Sequence, residues 1–125
     1  MIIFRFYDKE EKVDYVWYQS SNILFSKCED HENALKTLTV VFSNGSTYKY
    51  KNVNVNDYVL FVHGGIMGSN GKAFNIHIRK KGYEFEKLPP TSTEELEKLK
   101  MEKRLKAVET ETETKEDEGI EKEGE

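Results

Sequence analysis

Leu38-Thr39-Val40-Val41-Phe42-Ser43-Asn44-Gly45-Ser46-Thr47-Tyr48-Lys49-Tyr50 is a pair of β-branched and aromatic runs joined through Asn-Gly, a strong short-range signal for a β-hairpin. The phase of the apolar residues selects the turn. A two-residue turn at Asn44-Gly45 pairs Val41 with Tyr48 and puts Leu38, Val40 and Phe42 on one face with Lys49 and Lys51, a badly mixed surface. A three-residue loop, Ser43-Asn44-Gly45, with Gly45 in the left-handed bulge position, pairs Val40 with Tyr48 and Leu38 with Tyr50. Leu38, Val40, Phe42, Tyr48 and Tyr50 then share one face, leaving Thr37, Thr39, Thr47, Lys49 and Lys51 on the other.

Working outward, Ile2 to Tyr7 and Val13 to Tyr18 flank a charged connection and read as an N-terminal hairpin. Asn22 to Cys28 is a third strand with Ile23 and Phe25 on one face, and Glu29 to Asn33 is a loop. On the C-terminal side, Val53 and Val55 favour a strand, but Asn54 as N-cap, Asp57 in the first turn, Tyr58 with Phe61 and Val62 at helical spacing, and Gly64-Gly65 as a stop favour a short helix over Asn54 to Val62. Ser69 caps a second one, with Phe74 and Ile78 inward and Lys72, Asn75 and Arg79 along another side. Tyr83 to Leu88 closes the sheet before Pro89-Pro90.

The expected fold is α+β: a small antiparallel β-sheet or partly open barrel with one or two short helices. It divides into an N-terminal hairpin extension (1–19), a central domain (20–88), a linker and charged helix (89–108) and a disordered acidic tail (109–125). The helix opens on a capping box, Ser92-Thr93-Glu94-Glu95, and carries a sparse apolar stripe. The Glu-Thr and Glu-Lys-Gly mixture after it is too polar to order itself by burial.

Charge follows that division. Residues 1–90 hold 12 basic and 10 acidic side chains and residues 91–125 hold 7 and 13, which gives the net −4. Within 36–90 the balance is 8 to 3, a local +5 that allows a polyanionic partner, while the whole-chain charge argues against a dedicated DNA coater. Cys28 is the single cysteine, so no intrachain disulfide forms and a reducing, cytoplasmic setting is expected. The opening apolar run is too short for a signal or membrane segment, and no membrane association is expected.

The order Ser20-Ser21-Asn22-Ile23, Leu38 with Val40 and Phe42, Asn44-Gly45, Tyr48-Lys49-Tyr50, Val53, Tyr58, Ser69-Asn70-Gly71-Lys72, Phe74-Asn75 and Ile78-Arg79 resembles the KTSC domain. That small module occurs at the C-terminus of some lysyl-tRNA synthetases and as stand-alone bacterial and phage proteins. The resemblance covers Ser20 to Leu88, and the Tyr-x-Tyr is the family's hallmark. Its company with a tRNA synthetase implies RNA binding. The loop at Glu29 to Asn33, the passage Gly64 to Met67, the first hairpin and the acidic tail depart from the family pattern. With no synthetase body in this chain, aminoacylation is not expected.

Tyr48 and Tyr50 can stack on bases, but the register turns them into the core as structural residues. Ser69-Asn70-Gly71 at a helix start offers backbone amides, with Gly71 allowing close approach and Lys72 and Arg79 adding charge. The same residues also read as a plain helix cap beside solvated bases. Lys49 and Lys51, with Arg79, Lys80 and Lys81, extend a basic margin or simply a solvated edge. His31, His63 and His77 show no ligand spacing with Cys28 or one another, and Ser20 lies in no nucleophile elbow, so neither metal, cofactor nor catalysis is expected.

The leading expectation is a non-enzymatic domain that binds RNA or a nucleotide through Lys49, Lys51, Ser69, Gly71, Lys72, Asn75 and Arg79. A second is a protein-interaction adaptor, of phage or mobile-element type, whose partner docks on residues 91–125. A third is sequestration of a small cyclic nucleotide.

Overall fold

The computed structural model of the chain describes residues 2–20, 22–31, 34–64 and 69–124, with side chains to position 109. It contains two compact units, Met1–Thr93 and Glu94–Glu125. The first is α+β. Six antiparallel strands run in sequence order: β1 (Ile2–Asp8), β2 (Val13–Tyr18), β3 (Ile23–Asp30), β4 (Lys36–Phe42), β5 (Thr47–Val53) and β6 (Phe85–Leu88). Helices α1 (Val55–Val62) and α2 (Asn70–His77) and a 3-10 turn (Arg79–Lys81) lie between β5 and β6.

The β4–β5 hairpin has the register expected from its apolar phase. Leu38 faces Tyr50 and Val40 faces Tyr48. Phe42 N donates to Ser46 O at 2.9 Å, which closes the three-residue loop. Gly45 has φ +89°. A side chain there would also meet Thr91 O at 3.3 Å, so glycine serves both the turn and the return of the chain after Pro90. Thr91 N donates to Gly45 O at 3.0 Å and its hydroxyl bonds that of Thr47, holding the exit segment against the turn.

Both helices begin as their caps predict. The Asn54 side chain accepts from Asn56 N, and the Ser69 side chain from Lys72 N. Gly64, at φ +71°, follows α1; Gly65 to Met67 lie outside the described residues. The hairpin β1–β2 is continuous with the sheet through the β2–β3 ladder, so it completes the domain's sheet. The Ser20 hydroxyl accepts from Asn22 N and Ile23 N at the β3 entry; Ser21, Glu32 and Asn33 lie outside the described residues.

One phase assignment is corrected. Ile23 pairs with Phe42 while Phe25 pairs with Val41, so two steps along β3 match one along β4. This bulge at Leu24 sends Ile23 to the helix-covered face and Phe25 to the other, where it meets Trp17 at 4.8 Å between ring centroids. A similar bulge in β1 separates Ile2 from Phe4. In β5, three steps from Tyr50 to Val53 match two on β4, with Asn52 at φ 56° absorbing the extra step and returning Val53 to the core.

The main core, between the sheet and α1 and α2, gathers Val16, Tyr18, Ile23, Leu38, Val40, Val53, Phe61 and Ile78. Asn70 ties its two helices together: Nδ2 donates to Phe61 O at 3.0 Å and Val62 O at 2.9 Å. The opposite sheet face holds a second aromatic cluster of Phe4, Tyr15, Trp17 and Phe25. Cys28 sits in the main core and burial pushes its thiol up to about 12. Thiolate is the reactive form. Native protein at pH 8 should therefore resist an aromatic disulfide reagent, with full labelling in denaturant; rapid native labelling would show that this core opens readily.

The second unit is α3, Thr93–Gly124. It contains the expected charged helix, and its backbone is helical to Gly124. Glu and Lys are good helix formers, so a polar composition that cannot bury itself is still compatible with helical backbone. Lys100 pairs with Glu97 one turn away at 3.2 Å. Among the described residues no helix is long and apolar enough to cross a membrane.

Candidate nucleic-acid interface

Strand alternation carries the side chains of Tyr48 and Tyr50 to the face covered by α2. Tyr50 is 6% exposed and meets Phe74 at 5.6 Å, so it is chiefly a core residue. Tyr48 is half-buried, with Phe42 at 5.8 Å on one side and Phe85 at 6.0 Å on the other. Phe85, delivered opposite Tyr50 by the β5–β6 ladder, is 56% exposed. Lys87, opposite Tyr48, places its ammonium 5.9 Å from that ring.

Tyr48, Tyr50 and Phe85 border two adjoining cavities of about 450 and 490 Å3 that share Phe42, Tyr48, Phe74, Asn75 and Arg79 and so form one trough. Each is of ligand-pocket size. The first extends to Asn22, Ser43, Asn44, Ser46 and Gly71. The second extends to Tyr50 and Phe85. Among the described residues lining the trough none is acidic, and Arg79, exposed, makes no ion pair. Burial raises the Tyr50 phenol, and the Arg79 charge works against that rise, which places the guanidinium's field at the tyrosine. Asn75, also exposed, lies one helical turn before Arg79.

The expected basic margin is thus redistributed. Asn75 and Arg79 enter the trough, and Gly71 lines its polar end, where a Cβ would lie 2.8 Å from Asn22 Nδ2. Glycine permits that close approach of α2 to the start of β3. Ser69 spends its hydroxyl on Lys72 N, the plain-cap alternative, while Lys72 is exposed and lines neither cavity. Lys49 faces Thr39 and Glu86 across its two ladders, on the sheet face turned away from Tyr48. Lys51 also leaves the trough, two residues further at the β5 bulge. Lys80 is exposed, and Lys81 lies 3.6 Å from Asp57.

Phe85, Lys87 and Asn22 were not identified from sequence. For Phe85 and Lys87 a signal existed: in a strand they share a face at i and i+2, and the pairing of that strand with β5 puts them beside Tyr50 and Tyr48.

A separate polar cavity of about 520 Å3 lies beside α1, lined by Arg5, Tyr7, Asp14, Asp30, Lys36 and Tyr58 among others. Its charges are already matched. Arg5 grips Asp14 through Nε and Nη2 at 3.1 and 2.7 Å, and Lys36 and Tyr7 bond Asp30. Among the described residues no cluster of His, Cys, Asp and Glu is suited to hold a metal; His31 instead bonds the Thr37 hydroxyl at 2.7 Å.

Among curated proteins, none matches this chain. A family profile does: KTSC domain, over residues 19–85. That span runs from the entry of β3 through β6's first residue and takes in every trough residue named above. The chain belongs to the KTSC domain family.

Proposed function

We propose that this protein is a non-enzymatic module that binds single-stranded RNA in the trough between the β4–β5 hairpin and α2. The observation that carries the reading is the meeting of an exposed aromatic ring, Phe85, with an exposed guanidinium, Arg79, and a carboxamide, Asn75, in a trough that has no acidic residue among its described lining. Single-stranded nucleic acid is recognised by this combination: an aromatic face for a base, a cation for its phosphate and an amide for a polar edge. A duplex hides its base faces and cannot use Phe85. Lys87 beside Tyr48 adds positive charge at the aromatic end.

Binding of a labelled single-stranded RNA, followed by anisotropy across a salt series, tests this. Phe85→Ala should weaken binding by about 1 to 3 kcal/mol, the usual loss for one stacked base. Arg79→Ala should also weaken it and make the salt slope shallower by roughly 0.7, the value for one phosphate contact to a single strand. Lys49→Ala with Lys51→Ala should change affinity by less than about threefold, since those side chains lie away from the trough. Equal binding by the parent and by both trough variants, or a loss confined to the lysine pair, rejects the assignment.

A further inference from the structure

The two halves of the trough differ in chemistry. The aromatic half ends in Tyr50 and Phe85, whereas the other ends in Asn22, Ser43, Asn44 and Ser46. Among the described lining residues Arg79 is the one formal charge, and it belongs to both halves. In the polar half three turn amides are already engaged: Ser43 N donates to Asn22 O, Gly45 N to Phe42 O and Ser46 N to Asn44 Oδ1, at 2.8, 2.9 and 3.0 Å. Those three amides are therefore not free to hold a phosphate. What this half presents is neutral groups that both donate and accept: the hydroxyls of Ser43 and Ser46 and the carboxamide of Asn22.

A central cation flanked by a ring-lined end and an amide- and hydroxyl-lined end matches the order base, phosphodiester, ribose. We infer that the trough seats two consecutive ribonucleotides, with one base against Phe85, the linking phosphate at Arg79, and the neighbouring ribose in the polar half. This rests on the RNA-binding reading above. The ribose 2′-hydroxyl, itself donor and acceptor, is the group that the polar half can read and that DNA lacks. The minimal ligand is a dinucleotide, and RNA is preferred to DNA of the same sequence.

The full chain is titrated, by chemical-shift perturbation, with the four ribo-homodinucleoside monophosphates, their 2′-deoxy counterparts and the four nucleoside 5′-monophosphates. The best ribodinucleotide should bind about fivefold or more tightly than its deoxy counterpart, the size of effect expected for one hydroxyl hydrogen bond, and also more tightly than its mononucleotide. Asn22→Ala with Ser46→Ala should close the ribo-deoxy gap, with a larger loss for the ribodinucleotide than for its deoxy counterpart. Asn22 is exposed and Ser46 half-buried, and an unchanged thermal melt confirms that the fold persists. Equal affinity for ribo and deoxy forms, or a mononucleotide binding as tightly as the dinucleotide, overturns the inference. If either occurs while Arg79→Ala and Phe85→Ala still weaken binding to longer RNA, the RNA-binding assignment stands alone. If neither the dinucleotides nor longer RNA binds, both fall.

Discussion

Phe61→Ala should destabilise the Met1–Thr93 unit by about 3 to 5 kcal/mol, the range for removing a fully buried phenyl ring and leaving its cavity. Phe61 is 0% exposed. Its ring centroid lies 5.7 Å from Tyr18 on β2, 6.4 Å from Tyr58 on its own helix and 5.8 Å from Phe74 on α2. One side chain thus joins the sheet to both helices. Its helix is too short to persist without tertiary packing, since isolated helices under about 12 residues are marginal in water. The cavity has little means of collapsing, because the backbone carbonyl of Phe61 is also fixed by Asn70. Folded domains are stable by only about 5 to 15 kcal/mol, so the variant should melt roughly 12 °C or more below the parent and unfold at much lower urea. Leu60→Ala, at a neighbouring position 43% exposed, is the control and should cost under about 1 kcal/mol. Similar losses at the two positions would mean that α1 is not seated through Phe61.

That dependence on one helix was partly legible in the sequence. Asn54, Ser69 and Gly45 act through their nearest neighbours, so caps and turn could be read from short windows. The β4–β5 register was legible for a related reason: a slip of one residue would have placed lysines among valines. The bulges were not. Ile23-Leu24-Phe25 carries no mark that one residue is extra, and a single insertion inverts every side chain before it. Asn52 was the one available hint, since asparagine tolerates the left-handed region better than most residues. In the trough, the hallmark tyrosines drew attention because they are adjacent in sequence. Phe85, more than thirty residues later, becomes their neighbour only through the β5–β6 ladder. The same distance explains why Lys49 and Lys51 look like site residues in the sequence: charge is visible there, but the face it occupies depends on the strand pairing.

Asp14→Ala should be comparably severe, at about 3 kcal/mol, toward the lower end of the range for removing one partner of a buried charge pair. No local motif marks Asp14; its importance arises from two distant contacts. On β2 it is 7% exposed, receives the Arg5 guanidinium bidentately and accepts from the Tyr58 hydroxyl at 2.7 Å. Burial first, and then the Asp14 charge, raises the Tyr58 phenol far above its ordinary value, so Tyr58 remains a donor throughout the accessible pH range. Alanine at 14 leaves that buried hydroxyl without its acceptor. Arg5, 42% exposed, can turn to water, which is why the upper end of the range is not reached. Tyr58→Phe removes a single hydrogen bond and should cost about 1 to 2 kcal/mol. The double variant should cost less than the two single losses combined by about 1 kcal/mol, because the shared bond can be lost only once. Simple additivity in urea denaturation would disprove the coupling. None of Arg5, Asp14 and Tyr58 lines the trough. On the proposed RNA-binding reading, folded Tyr58→Phe protein should bind single-stranded RNA as the parent does, whereas Phe85→Ala should weaken binding by about 1 to 3 kcal/mol while its melt stays near the parent's. Opposite responses from these two variants would place stability at the α1 end of the sheet and recognition at the α2 end.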